Sequence, residues 1–119
     1  MAERRNTHSI NKVFALLKVL GNDKRYNPES YSFVMKALGF TMKKLRRKGH
    51  VTGVELLNGA REYALEQFGP MTRSVLGYWG ITTTNDIGEI VFNMIDAGIL
   101  GRTEKDSKED FNNRFDFKA

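Results

Sequence analysis

Apolar positions recur at helical spacing along most of this chain. Ile10, Val13, Phe14, Leu17 and Leu20 form a first stripe, which Gly21 closes. After a short polar loop at 22–26, Asn27-Pro28 marks a second helix start: Asn caps orphan N–H groups, and proline has no N–H to lose at the first helical position. Tyr31, Val34, Leu38, Met42 and Leu45 then share one face. At about 100° per residue, Lys36, Lys43 and Arg47 fall on the opposite side, with Phe33, Phe40 and Lys44 beside them. Gly39 offers a division of this helix and Gly49 an end.

Thr52-Gly53-Val54-Glu55 reads as a capping box, in which hydroxyl and carboxylate satisfy each other's backbone donors. The helix it opens carries Leu57, Ala60, Ala64 and Phe68 and stops at Gly69-Pro70. A shorter helix follows with Met71, Val75, Leu76 and Trp79 inward and Gly80 behind it. Thr83 to Asp86 supplies another start, Ile87, Ile90, Val91, Met94 and Ile95 a strong apolar face, and Gly98 a stop. The period then changes. Ile99 to Thr103, a polar turn, and Phe111, Phe115 and Phe117 at alternate positions read as a β-hairpin over 99–117. The expected fold is therefore mainly α: about five helices with a small C-terminal β-hairpin, in winged-helix-like order over the C-terminal half. It divides into a flexible basic arm at 1–8 and a single helical domain at 9–119.

Composition adds limits. The 119 residues are 40% hydrophobic and 28% charged, which suits one folded domain and argues against disorder. No apolar run reaches the roughly 20 residues that span a bilayer, so no membrane is expected, and the N-terminus lacks a secretory pattern. With no cysteine, disulfides, thiolate metal sites and a cysteine nucleophile are excluded, and the chain reads as cytoplasmic.

Charge sharpens the picture more. The net charge is +5, yet residues 1–50 hold 12 Lys+Arg against 3 Asp+Glu (+9), while residues 51–119 hold 7 against 11 (−4). A polyanion should meet the first half; equally, the two halves could attract each other. Lys43, Lys44, Arg46, Arg47 and Lys48 put five cations in six residues. Phosphate attraction follows without sequence specificity, and Phe33 and Phe40 on that side could stack on unpaired bases. Buried packing of both rings is the competing reading. Lys36, Arg4, Arg5, Lys24 and Arg25 would extend the contact. The predicted recognition helix at 84–97 carries Asp86, Glu89 and Asp96 with no Lys or Arg, which opposes major-groove readout of DNA.

Nothing marks an enzyme. His50 has no acid beside it in sequence, and two histidines without cysteine make no metal-ligand spacing. Asp106, Glu109 and Asp110 lack the ligand alternation of an EF-hand and read as a polar turn. No phosphate-cradling glycine loop, GxSxG or HExxH occurs. No catalytic residue, metal or cofactor is expected.

Several stretches carry a resemblance: Tyr31 with Phe33-Val34; residues 50–57; Gln67-Phe68-Gly69; Val75-Leu76 with Trp79-Gly80-Ile81; Thr84, Asp86 and Gly88; Ile90-Val91-Phe92; Asp110-Phe111 and Asp116-Phe117. By these the chain resembles an uncharacterised family of small bacterial proteins found mainly in planctomycetes and verrucomicrobia. The first 25 residues are not covered, and the family brings no activity or ligand. The resemblance draws attention to Phe111 and Phe117 as anchors of the C-terminal segment.

The functional expectation is a non-enzymatic protein binding nucleic acid through its basic N-terminal half, RNA or a ribonucleoprotein being favoured over specific DNA. The alternative is a protein-interaction or homo-oligomeric module using the acidic helix 84–97 and the aromatic hairpin.

Overall fold

The computed structural model describes residues 1–3, 17–47, 49–104 and 106–115. Its architecture is mainly helical. A first helix, α1, occupies residues 17–22, followed by α2 (Pro28–Lys44), α3 (Gly53–Phe68), α4 (Thr72–Tyr78) and α5 (Thr84–Asp96), with 3-10 turns at Gly69–Met71 and Lys108–Phe111. A two-residue strand, β1 (Ala2–Glu3), pairs antiparallel with β2 (Leu100–Gly101). Arg4, Arg5, the rest of the expected arm, the stripe before Leu17, Lys48 and Phe117 lie outside the described residues.

The helix starts follow local chemistry. Asn27 accepts from the Glu29 N–H with Pro28 at N1, and Thr52–Glu55 and Thr83–Asp86 each form a reciprocal capping box. α2 runs unbroken through Gly39 and ends at Lys44, before Gly49.

α5 is the central element. Ile87, Ile90 and Val91 are fully buried, α2 and α3 pack on it, and the segment after Ser107 folds over its N-terminus. There Thr84 donates to the Phe111 carbonyl (2.6 Å), and Asn85 accepts from the Asn113 N–H (2.9 Å).

The C-terminal hairpin is not formed among the described residues. β2 pairs with the chain's first residues and not with 111–115, and Lys108–Phe111 is a 3-10 turn capped by Ser107 and Asp110. The alternation of Phe111 and Phe115 signals burial of Phe111, at 1% exposure against Gly53, Gly88 and Phe92, not a strand. Without that ribbon, the described residues hold no wing. Two further expectations are corrected: Leu17 and Met71 point outward, at 57% and 58% exposure. The flexible-arm reading of 1–8 does not hold at its first three residues, because Met1 is buried and Ala2–Glu3 is paired.

Candidate functional site

The basic run stands where α2 ends. Lys43 and Lys44 occupy its last turn, and Leu45, Arg46 and Arg47 form the cap. Arg46 N–H bonds to the Lys43 carbonyl (3.2 Å) and Arg47 N–H to the Met42 carbonyl (2.9 Å), the paired bonds of a Schellman motif. That motif needs a left-handed residue at its turn. α4 and α5 close in the same way and place Gly80 (φ +97°) and Gly98 (φ +78°) there. α2 places Arg46 at φ +55°. A side chain in this conformation costs about 1–2 kcal/mol, so an exposed guanidinium is held at this corner against local backbone preference.

The fold divides the expected contact residues. Lys36, Lys43 and Arg46 are exposed and have no charged partner among the described residues. Lys44 pairs with Glu62 of α3, and Arg47 with Glu55 (2.7 Å). Both pairs are solvent-exposed, in the class that contributes about 0–1 kcal/mol each, so a competing anion can displace them. Arg47 and the Thr52 N–H hold Glu55 below its usual carboxylate range, the backbone bond being the larger cause.

Lys24 and Arg25 belong elsewhere. They precede the N-terminus of α2, whose 17 residues span about 25 Å at 1.5 Å per residue. Arg25 is consumed there by Asp23 (2.6 Å) and by Glu89 of α5 (3.2 Å). Phe33 is not a stacking surface: at 3% exposure it lies among Tyr63, Phe68 and Trp79. Phe40 is half-buried, 5.4 Å from Tyr63.

The acidic helix offers little in return. Asp86 accepts from Tyr26 (2.7 Å) and from the N–H groups of Thr82 and Thr83 (2.9 and 3.0 Å). Burial works to raise its pKa, but these bonds outweigh burial and the net direction is down. Glu89 holds Arg25 and Lys108, and Asn93 bonds to Asp23 and Tyr31. Of its three carboxylates only Asp96 is exposed. The expected acidic docking face on 84–97 is thus largely spent inside the molecule.

One cluster had no sequence signal. The Met1 amine donates to the Val51 carbonyl (2.6 Å) and to Nδ1 of His50, whose Nε2 faces buried Asp106 at 3.1 Å. Desolvation lowers the amine's pKa, against the pull of Asp106. His50 and Asp106 line an open cleft of about 880 Å³ together with Thr52, Val54, Thr103, Glu104 and Asp110. The Thr52 hydroxyl accepts the Glu55 N–H as a helix cap (3.1 Å). Asp106 and Asp110 likewise cap the Thr103 and Ser107 N–H groups. Chain order gives no hint of this meeting, because its members come from three separate segments.

Among the described residues no His, Asp and Glu group is arranged to hold a metal ion, and no helix is long and apolar enough to cross a membrane. The chain matches no family model, no curated protein and no solved structure.

Proposed function

We propose that this protein is a non-enzymatic binder of nucleic acid, RNA or ribonucleoprotein in preference to a defined DNA site, through the C-terminal end of α2. One observation carries the reading: Lys36, Lys43 and Arg46 remain exposed and unneutralised, and Arg46 does so in a left-handed conformation that two other helices give to glycine. Lys44 and Arg47 add cations that a phosphate can recruit from weak surface pairs. Lys48, Arg4 and Arg5 belong to the same proposal by sequence alone, whereas Lys24 and Arg25 leave it. The resemblance to the planctomycete and verrucomicrobial family adds no chemistry to this reading.

The test is affinity for a labelled oligoribonucleotide as a function of salt. Affinity should fall steeply between about 50 and 200 mM salt, and each neutralised cation should reduce the logarithmic slope by about one. No binding near 50 mM salt, or a slope unchanged in the Lys36→Gln, Lys43→Gln, Arg46→Gln variant, removes the proposal.

A second reading, docking of a protein or of another copy, draws on apolar side chains that face solvent: Leu65 (43% exposed), Met71 and Tyr78 (83%). It predicts a molecular mass that rises with concentration in sedimentation and is insensitive to nuclease.

A further inference from the structure

Five aromatic rings pack in series around the buried Phe33, and Phe40 at one end of the series lies beside the basic surface. Trp79 meets Phe68 (5.6 Å) and Phe33 (6.0 Å), Phe33 meets Tyr63 (5.9 Å), and Tyr63 meets Phe40 (5.4 Å). Phe33 is buried, whereas the other four rings are only partly so. The series therefore ends in a ring pair that joins α2 to α3 and reaches solvent.

Its position along α2 matters. Phe40 follows Lys36 by four residues and precedes Lys43 by three, so the three side chains project from neighbouring positions of one helical face. Gly39 beside them adds no bulk, with no atom within 4 Å of where a Cβ would stand. Lys36 and Lys43 are separated by about 10 Å along the axis at 1.5 Å per residue. At 3.4 Å per nucleotide of one strand, that is roughly the rise of three nucleotides. Tyr63 backs the Phe40 ring, so a stacking partner meets a surface that is already ordered and little side-chain freedom is lost on binding.

Cations alone would serve any polyanion equally. A ring between two unengaged ammonium groups serves a narrower class: a chain whose phosphates alternate with flat, uncovered faces. In a duplex each base face is covered by its neighbour, so only an unpaired strand presents one.

From Phe40, backed by Tyr63 and lying between free Lys36 and Lys43 along α2, we infer that this surface takes single-stranded nucleic acid, with one base stacked on Phe40 and the flanking phosphates on the two lysines. The inference rests on the polyanion reading above and narrows it.

Fluorescence anisotropy with four probes separates the two: a labelled single-stranded oligoribonucleotide, the same strand carrying abasic positions, its duplex, and inorganic polyphosphate as competitor. The single strand should bind more tightly than its duplex and about ten-fold more tightly than the abasic strand, within the range that stacking on one aromatic supplies. Phe40→Leu keeps an apolar contact with Tyr63 and should erase the difference between normal and abasic strands while leaving polyphosphate competition unchanged. Equal affinity for normal and abasic strands, or for single strand and duplex, overturns the inference while polyanion binding stands. Failure of all four probes overturns both. The abasic comparison uses the unaltered protein, so the result does not depend on the variant folding.

Discussion

The two charged helices at the heart of this molecule use their charges in opposite ways. α5 carries three carboxylates and no cation, and its fold partners consume two of them: Tyr26 and two backbone N–H groups hold Asp86, while Arg25 and Lys108 hold Glu89. α2 and the cap that follows it carry cations, of which Lys36, Lys43 and Arg46 stay unpaired among the described residues. The difference is one of position. α5 lies at the centre, where a polar group without a partner is expensive, so its polar side is built into the structure. The outward face of α2 is solvated, so its charge is free to act on something else.

That contrast can be broken in several places. The largest effect should come from where α2 is seated. A Cβ at Gly59 would stand 1.8 Å from Thr41 Oγ1, so Gly59→Ala must push α2 and α3 apart. A loss of about 1–3 kcal/mol is expected, measured by denaturant unfolding, with part recovered when Thr41→Ala is added. Next, Asp86→Ala strands the Tyr26 hydroxyl and two N–H groups and should cost about 1–3 kcal/mol, whereas Glu89→Gln, which touches only exposed pairs, should cost under about 1 kcal/mol. Equal costs for the two would mean that α5 does not anchor its carboxylates as described.

The pH dependence follows from the same carboxylates. Arg25 holds Asp23 well below the usual range, with burial opposing and Asn93 assisting. Glu55 and Asp86 are also lowered. A folded pKa below the unfolded value means that the unfolded chain binds more protons on acidification. The contribution of these groups is therefore full above about pH 4 and is lost as pH falls through their folded values. The thermal midpoint should decline below about pH 4, less so in Asp23→Asn; a midpoint flat between pH 6 and pH 3 would contradict the assignment.

The smallest effect is the most telling for α2. Arg46→Gly should stabilise the protein by about 1 kcal/mol, because glycine meets no penalty at that left-handed corner. It should at the same time weaken binding to an oligoribonucleotide. Lys43→Gln should leave stability within about 0.5 kcal/mol and still lower affinity. If Arg46→Gly costs stability instead, the guanidinium holds the fold together and not a ligand.

Much of the helical order was legible in the residues themselves. Asn27-Pro28, Thr52–Glu55 and Thr83–Asp86 are short-range devices, and each starts a helix in the structure. The tail departs from its pattern over the described residues: the spacing of Phe111 and Phe115 suits a strand, but Phe111 is aimed into a gap left by Gly53 and Gly88. Of the candidate site, the cationic run was plain. Which of its members are free was not, because Glu55 and Glu62 approach from a different helix.

The sequence by itself determined where several helices begin, that the first half would be strongly basic, and that α5 would carry carboxylates and no cation. These depend on neighbours three or four residues apart, or on simple sums of charge. Only the tertiary structure decided that Arg25 is spent while Lys43 is not, that Phe33 is core while Phe40 reaches solvent, that β2 pairs with Ala2–Glu3, and that His50 meets Asp106. Each of those is a pairing between distant segments. Its energy exists only once packing has brought them within a few ångströms, and no local pattern encodes that approach.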